Sequence, residues 1–410
     1  MYKNIYAREY YLNRIRGFYH DDVIKVITGI RRCGKSSFLK SVANDLESKG
    51  VLEKDIIYID LDKLGYRKVI TTEQLETIID ELITDDDYKY LFIDEVQNIQ
   101  DFEPLVNAYR EEGNISIFIT GSNSYLLSGE LTTKLTGRYI EIEMFTLNFR
   151  EYLEMKKFHG KDMSANTAEE FDNYIRYGGF PKVLEYDRLE DKELYIKGVI
   201  QQIIKKDIKK YRKIRNWSIF ERVLTYVINN FGATTNLTNI LDYFHNEEHI
   251  SIKQETLNSY LQIMENAKIL YKCSRFDLKS KKSLRGEQKY YLADLSIYFA
   301  ENVDARINYG PVLENIMYTY LTSKGYALRV GRIGKLECDF ITRRNMEYFY
   351  IQVSLTIVDP KTENREYAPF EKIRDNYPKY LFTQDPLLQK RDGVKHYNIA
   401  QFISEDMDLT

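Results

Sequence analysis

Short apolar runs alternate with helical patterns along the first 150 residues of the chain. Runs of strand length occur at Val23–Thr28, at Tyr90–Ile93 and within Ile115–Asn123, and similar runs lie in DIIYIDL and RYIEIEMF. After the first run, apolar residues recur at helical spacing from Phe38 to Leu46. Strands that alternate with helices in this way predict an α/β fold, in which helices cover a parallel sheet.

The pattern becomes mainly helical after this region. The segment from Phe149 to Asn216 is interrupted by YGGFP at Tyr177–Pro181, whose glycines and proline predict a turn. From Trp217 to Phe299 the pattern predicts helices followed by a strand pair, with a basic hairpin at Lys279–Lys289. Further along, LECDFI and IQVSLT alternate apolar and polar residues, as half-buried strands do. A helical middle and a second α/β region are therefore expected.

Length, charge and cysteine content narrow the class of protein. At 410 residues the chain is long enough for about two to four domains. Its net charge of −3 argues against a protein that coats nucleic acid uniformly, although local basic patches can bind phosphate. Three scattered cysteines fit a reducing cytoplasm. No stretch approaches the ~20 apolar residues of a spanning helix, and no secretory signal is visible, so a cytoplasmic protein without membrane insertion is expected.

The first strand leads into the motif GxxxxGKS, and a helix follows it. In that context backbone N–H groups and the helix N-terminus surround the phosphates of ATP, Lys35 reaches the β- and γ-phosphates, and the Ser36 hydroxyl binds Mg²⁺. The strand before the motif and the helix after it separate it from a chance match. The residues predicted to contact the nucleotide are Gly29, Ile30, Arg31, Arg32, Cys33, Gly34, Lys35, Ser36 and Ser37.

The strand YLFI ends in two carboxylates, Asp94 and Glu95. Asp94 is placed to hold the magnesium shell, and Glu95 is placed to orient and polarise the attacking water. The alternative is an exposed acidic pair that caps a helix, but its position after an apolar strand favours a catalytic pair and hence an ATPase. Ser122 and Asn123, which follow another strand, are candidate sensors of the γ-phosphate.

Arg138 precedes the last predicted strand of the core, in LTGRYIEIEMF. It is either an ordinary salt-bridge residue or an arginine finger that reaches the γ-phosphate bound by a neighbouring copy. The second alternative requires a homo-oligomer, and both stay open at this point.

Several motifs are shared with one known group of proteins: GIRRCGKSS, FIDEVQN, ITGSNSYLLSGE followed by LTGRY, YGGFPKVLE, and QVSLT with REYAPFEKIRDNYPKYLFTQD. Through them nearly the whole chain resembles prokaryotic AAA-superfamily ATPases that carry a winged-helix region and a nuclease-like carboxy-terminal domain of unknown function. The resemblance implies an AAA-type ATPase core at 1–155, a helical lid at 156–216, a winged helix at 217–303 and a PD-(D/E)xK nuclease-like domain at 304–410.

Two segments of the middle region are candidates for contact with DNA. Seven lysines and arginines lie between Lys205 and Arg215 against one aspartate, which predicts one helix with a basic side. A solvated face is the simplest interpretation, and phosphate contact is the other. The other segment is the winged helix, in which the basic hairpin at Lys279–Lys289 fits the wing. A winged helix can place its second helix in a major groove, but it can equally dock a protein partner, and this helix has few arginines with which to read guanine.

The carboxy-terminal region follows the order of a nuclease but departs from its pattern. Glu314 lies on a helix, Asp339 on one strand and Gln352 on the next. Gln352 stands where a second carboxylate is expected and Ser354 where a lysine is expected, so the site is predicted to be vestigial. Activity would need a lysine from elsewhere, such as Lys335 or Lys379. The alternation of the strand predicts that Gln352 and Ser354 both face the pocket that contains Glu314 and Asp339.

The function expected from these features is Mg-dependent ATP hydrolysis that changes the orientation of the winged-helix and nuclease-like domains. Two alternatives remain. One is a nucleotide-controlled switch or scaffold that binds a protein partner and turns over slowly. The other is a nuclease gated by ATP.

Overall fold

The computed structural model describes residues 2–121, 135, 137–208, 214–280, 282–302 and 308–410, with backbone alone for residues 282–285. The chain divides into two compact units, Met1–Phe145 and Thr146–Thr410.

The first unit is built on a five-stranded sheet in which all neighbouring strands are parallel. The spatial order of its strands is β2-β3-β4-β1-β5. This arrangement confirms the parallel α/β core predicted from the alternation of strands and helices. The strands are β1 Ile24–Gly29, β2 Ile56–Asp60, β3 Lys89–Asp94, β4 Ile115–Thr120 and β5 Tyr139–Met144. The α-helices among the described residues of this unit are α1 Glu9–Ile15, α2 Lys35–Ser48, α3 Thr72–Leu82 and α4 Phe102–Glu111.

The central strands β1, β3 and β4 are buried at every position, which explains why apolar residues dominate their sequences. One face of the sheet packs with α3 and α4 in a cluster that includes Val26, Ile93 and Ile119. The other face carries Phe92 and Phe118, whose rings stack with centroids 4.6 Å apart. Because the strands are parallel, their carboxyl ends meet at one edge of the sheet, and the predicted phosphate loop and acidic pair lie there.

The second unit contains a seven-stranded mixed sheet in the order β12-β11-β10-β9-β8-β6-β7. Its strands are β6 Leu270–Asp277, β7 Lys282–Leu292, β8 Ala327–Ile333, β9 Leu336–Arg344, β10 Glu347–Val353, β11 Lys379–Thr383 and β12 Lys395–Asn398. The α-helices in the parts of this unit that the structure describes are α5 Phe149–Phe158, α6 Thr167–Tyr177, α7 Leu189–Gln202, α8 Trp217–Asn229, α9 Leu237–Asn246, α10 Gln254–Asn266, α11 Ser296–Glu301, α12 Tyr309–Ser323, α13 Pro360–Lys372 and α14 Ile399–Ser404.

The hairpin β6–β7, which was expected to form the wing of a winged helix, is part of this sheet. Strand β6 pairs with β7 in antiparallel and with β8 in parallel orientation, and Arg275 lies opposite Val330. Strands expected in the winged helix and in the nuclease-like domain therefore share one sheet. The domain boundaries given above remain predictions. The pairing of β6 with β8 crosses the one predicted between residues 303 and 304.

The backbone of the turn YGGFP lies close to the side chain of Asp294 and to the backbone of Leu147. The N–H of Gly179 donates to Asp294 Oδ2 at 2.8 Å. A Cβ atom on Gly178 would lie 1.8 Å from Asp294 Oδ1, and one on Gly179 would lie 2.1 Å from the carbonyl oxygen of Leu147. Only glycine fits at either position, so these residues shape the backbone.

The basic segment starts as a π-helix at Ile203–Ile208, directly after α7. Ile203 and Ile208 are buried there, whereas Lys205 and Lys206 are exposed, which gives this part a basic outer side. Residues 209–213 lie outside the described part of the chain. Ile214 and Arg215 are described and are not helical, so the prediction of a single helix that extends to Arg215 was wrong at its carboxyl end.

Candidate nucleotide-binding site

The phosphate loop connects the buried end of β1 to the start of α2. A Cβ atom on Gly29 would lie 2.2 Å from the carbonyl oxygen of Met144, so the loop can leave the sheet here only with glycine. Gly34 precedes the first residue of α2 with φ of 106°, a left-handed conformation that side chains disfavour. Both glycines of the motif are therefore required by the backbone, which presents the N-terminus of a 14-residue helix to the loop.

The other loop residues differ in exposure. Ile30 and Cys33 are buried, Arg31 is half-buried, and Arg32 and Ser37 are exposed. Burial of the Ile30 and Cys33 side chains leaves their backbone groups as the means of contacting a nucleotide.

Lys35 is folded back over the loop. Its Nζ donates to the carbonyl oxygens of Gly29 at 2.9 Å and Ile30 at 3.3 Å, and the residue is buried. Phosphate oxygens bind an ammonium more strongly than neutral carbonyls do, so an anion in the loop would draw this group away from them.

Asp94 sits at the end of β3 and accepts three hydroxyl hydrogen bonds. Ser36 Oγ donates to Asp94 Oδ1 at 3.1 Å, Thr120 Oγ1 donates to the same oxygen, and the Tyr58 hydroxyl donates to Oδ2 at 3.1 Å. Burial raises the pKa of Asp94, and the hydroxyls of Thr120, Ser36 and Tyr58 act in the opposite direction. Ser36 and Asp94 thus form a pair of hard oxygen ligands of the kind that suits Mg²⁺.

Glu95 follows in a left-handed conformation, with φ of 62° and ψ of 46°. Its backbone N–H donates to Thr120 Oγ1 at 3.0 Å, and its carboxylate accepts a hydrogen bond from Gln97 Nε2. Such a conformation is costly for a residue other than glycine and is frequent at functional sites. Thr120 therefore links Asp94 with Glu95, as the last residue of the strand that lies between β1 and β3.

Sequence reasoning missed Thr120 and Tyr58 at this site. Thr120 could have been noticed as the first polar residue at the end of ISIFIT, two positions before the predicted Ser122. Ser122 and Asn123 themselves lie outside the residues that the structure describes.

Arg138 lies at the opposite edge of the sheet from its own phosphate loop. Its carbonyl oxygen accepts the N–H of Ile24, at the amino end of β1, whereas Gly29 pairs with Met144. The five residue steps of β1 separate the two edges by about 16 Å, which exceeds the reach of an arginine side chain. The guanidinium is half-exposed and lies 3.9 Å from Glu111 Oε1. This placement prevents Arg138 from acting as an arginine finger on the nucleotide of its own chain. Both predicted alternatives remain, an ordinary salt bridge and an arginine finger that acts on a neighbouring copy.

The second unit holds a separate buried cluster of charges. Lys289, on β7, places Nζ 2.8 Å from Glu314 Oε2 and 2.9 Å from Glu337 Oε1, and the Tyr291 hydroxyl donates to Glu314 at 3.0 Å. Burial opposes the charge of Lys289, but Glu314, Asp339 and Glu337 outweigh it and raise its pKa. Burial also raises the pKa of Glu314 and, together with the charge of Glu314, raises that of Asp339.

Asp339 and Gln352 connect strands β9 and β10. The backbone N–H of Asp339 donates to Gln352 Oε1, and the N–H of Val353 donates to Asp339 Oδ2, both at 2.8 Å. Gln352 Nε2 donates to Glu366 Oε2 at 2.9 Å. The amide oxygen of Gln352, its one possible metal ligand, is therefore engaged in the sheet.

Gln352 thus lies beside Asp339, as the strand alternation predicted. Ser354 follows the last residue of β10 and is buried. Its backbone N–H still donates to the carbonyl oxygen of Phe382 on β11 at 2.9 Å, and its hydroxyl donates to the carbonyl oxygen of Thr356 at 3.3 Å. That its side chain faces Glu314 and Asp339 stays a prediction.

The lysines suggested for this cluster are placed elsewhere. Lys379 Nζ donates to the carbonyl oxygens of Phe370 and Ile373, and Lys335 is exposed between β8 and β9. The lysine that contacts Glu314 is Lys289, from the basic hairpin that was expected to form the wing of the winged helix.

Residues 21–153 match the family model of an AAA domain, and residues 168–305 match a domain of unknown function (DUF8612). Among the described residues, no helix is long and apolar enough to cross a membrane.

An uncharacterized protein of Haemophilus influenzae is 33% identical over 405 residues, which are 98% of this chain and 100% of the relative. An uncharacterized protein of Methanocaldococcus jannaschii is 29% identical over 367 residues, covering 86% of this chain and 79% of the relative. The solved structure of the Walker-type ATPase paby2304 of Pyrococcus abyssi has the same fold with a TM-score of 0.50 and 16% identity, over 71% of this chain and 93% of that one. The chain therefore belongs to the family of the Haemophilus influenzae protein, and its first unit is an AAA-type P-loop ATPase domain.

Proposed function

We propose that the protein is a Mg²⁺-dependent ATPase whose first unit binds and hydrolyses ATP. The observation that carries this proposal is the 3.1 Å contact between Ser36 and Asp94, which come from segments 58 positions apart. The phosphate loop supplies one of these residues and the end of β3 supplies the other. A hydroxyl and a carboxylate that meet beside a helix N-terminus form a site for a metal-bound polyphosphate.

Each side chain of the site has a task that follows from its position. Lys35 would exchange its carbonyl partners for the β- and γ-phosphate oxygens. Ser36 and Asp94 would hold Mg²⁺, which when bound neutralises charge on the phosphates. Glu95 would accept a hydrogen bond from the attacking water and orient it, and Gln97 and Thr120 hold Glu95 in place.

The proposal includes coupling of the nucleotide state to the orientation of the second unit. Helices α8, α9 and α10 followed by the hairpin β6–β7 have the order of a winged helix, with an isolated bridge between Thr235 and Gln288. Such a module could bind DNA or a protein partner.

One observation favours a protein partner, and with it the slowly cycling switch, as the second candidate function. Helix α10, Gln254–Asn266, contains neither lysine nor arginine, and Gln254, Asn258 and Gln262 are among its exposed residues. A helix without cations is poorly suited to phosphate contact.

Steady-state phosphate release tests the proposal and separates the two functions. The wild-type protein should release phosphate from ATP with Mg²⁺ and stop when EDTA removes the metal. The same measurement with double-stranded DNA, single-stranded DNA and RNA shows whether nucleic acid stimulates turnover. Tight ATP binding with a turnover that stays very slow under all these conditions would support the switch, and absence of ATP binding would contradict both functions.

Arg138→Ala is expected to lose hydrolysis while still binding ATP, if Arg138 acts on a neighbouring copy. Specific activity of the wild type should then rise with protein concentration. Mixing Arg138→Ala with Glu95→Gln should restore part of the activity, because some mixed interfaces pair an intact Glu95 with an intact Arg138.

Arg14, an exposed arginine on α1, offers a control: Arg14→Ala should leave turnover unchanged. A monomeric protein with concentration-independent turnover would contradict a role of Arg138 as an arginine finger. The salt bridge to Glu111 would then be its remaining role.

We also expect no cleavage of linear DNA, plasmid DNA or RNA with Mg²⁺ or Mn²⁺, with or without ATP. Gln352 lacks the charge of a carboxylate, and its oxygen already accepts the N–H of Asp339. Metal-dependent cleavage that disappears in Asp339→Ala would show that the site is active, and Lys289 would then be the first lysine to test. Cleavage that also requires ATP would establish the alternative of an ATP-gated nuclease.

A further inference from the structure

Tyr58 contacts the same carboxylate as the phosphate loop but comes from a different strand. It lies on β2, and its hydroxyl is 3.1 Å from Asp94 Oδ2 and 3.4 Å from the carbonyl oxygen of Ser36. The ring stacks on Phe92 with centroids 5.8 Å apart and planes at 16°, and it contacts Tyr2 at 5.5 Å. Aromatic packing therefore fixes the direction in which the hydroxyl points.

The hydrogen bonds divide the two oxygens of Asp94 between different partners. Oδ1 accepts from Ser36 and Thr120, and Oδ2 accepts from Tyr58. A carboxylate held at both oxygens cannot rotate freely about its bond to Cβ. Tyr58 thus keeps Oδ1 turned toward the Ser36 hydroxyl.

The phenol of Tyr58 is a reliable donor in this position. An ordinary phenol ionises only near pH ~10, so the hydroxyl carries its proton at neutral pH. The hydroxyl can therefore donate to Asp94 throughout the ordinary pH range.

We propose that Tyr58 is a positioning residue for Mg²⁺, whose hydroxyl holds the Asp94 carboxylate in the orientation that the metal needs. This inference rests on the proposed function of the first unit. Groups that orient a metal ligand typically change metal affinity by 10- to 100-fold when they are removed. Nucleotide contacts made by the loop backbone and Lys35 do not involve Tyr58, so they should persist without it.

Tyr58→Phe removes one oxygen and retains the packed ring. Binding is measured with a fluorescent, non-hydrolysable ATP analogue, first in EDTA and then during a titration with Mg²⁺. The Mg²⁺ concentration that gives half of the metal-dependent tightening should rise about tenfold in the variant. Affinity for the analogue in EDTA should stay equal to that of the wild type.

Tyr90→Phe is the matched control, since Tyr90 lies on β3 and its hydroxyl contacts His20 Nδ1 at 2.9 Å. It loses the same group in the same unit, and its Mg²⁺ requirement should not change. An unchanged Mg²⁺ requirement in Tyr58→Phe would overturn the inference, and so would an equal loss of affinity with and without metal. A wild type that shows no Mg²⁺-dependent binding of the analogue would overturn the proposed function itself, and the role of Tyr58 with it.

Discussion

Glu95→Gln is expected to lower the rate of ATP hydrolysis by about 10²- to 10⁴-fold, the usual contribution of a general base. Glutamine keeps the shape of the side chain but cannot accept a proton from the attacking water. ATP binding should be unaffected, because the proposed partner of Glu95 is the attacking water. The phosphates and the metal are contacted by other residues. Single-turnover hydrolysis and equilibrium binding of ATP, measured on the same preparation, check the two halves of this expectation.

Two variants make the result specific to Glu95. Lys35→Ala should weaken ATP binding itself, because it removes the ammonium that reaches the β- and γ-phosphates. Glu112→Gln changes an exposed glutamate after α4 and should hydrolyse ATP like the wild type. Equal hydrolysis by Glu95→Gln and wild type would remove Glu95 from the mechanism.

The phosphate loop could be predicted from sequence because its parts are contiguous. GxxxxGKS contains the glycines, the lysine and the serine within eight positions, and the strand before it and helix after it are strongly patterned. Asp94 could be predicted as part of the site because it ends another apolar strand. In a parallel sheet the carboxyl ends of the strands lie at one edge, and this places Asp94 near Ser36.

Thr120 and Tyr58 could not be assigned in the same way, because their roles depend on the order of strands. Thr120 reaches Asp94 and Glu95 because β4 lies between β1 and β3. Tyr58 reaches Asp94 because β2 pairs with β3 in the register that places Tyr58 opposite Phe92. The pattern of apolar and polar residues along a strand specifies neither the order of the strands in the sheet nor the register between two strands.

Lys289 shows the same limit over a longer distance along the chain. The pattern of the hairpin was compatible with a separate wing, and in that arrangement Lys289 would be one basic residue among several. The pairing of β6 with β8 instead extends the sheet to β7 and brings Lys289 against Glu314. Pairing between strands so far apart in sequence is not encoded in either segment alone.

Lys289→Met is expected to lower the free energy of unfolding of the second unit by about 3–5 kcal/mol, the usual cost of leaving a buried charge without its partner. Lys289 is 4% exposed and is paired with both Glu314 and Glu337. Arg275 remains 3.0 Å from Glu337, so the main loss falls on Glu314. Urea unfolding followed by the fluorescence of Trp217, the single tryptophan, measures this unit.

The loss of unfolding free energy in Lys289→Met should depend on pH. Its direction follows from the pKa of Glu314. Burial already raises the pKa of Glu314 in the folded protein, and removal of Lys289 takes away the charge that opposes this rise. A carboxyl group whose pKa is higher in the folded state than in the unfolded state contributes stability at low pH and loses it as pH rises through the folded value. Lys289→Met should therefore be less destabilised at pH 5 than at pH 8.

A double variant separates the lost ion pair from lost packing. In Lys289→Met/Glu314→Gln the second change removes the uncompensated charge, and the glutamine oxygen can still accept the Tyr291 hydroxyl. We expect the double variant to be more stable than Lys289→Met alone, since removal of both partners costs less than removal of one. Lys161→Met, which breaks an exposed pair with Asp187, should cost less than about 1 kcal/mol. A double variant whose loss equals the sum of the two single losses would show that the charges of Lys289 and Glu314 do not stabilise one another.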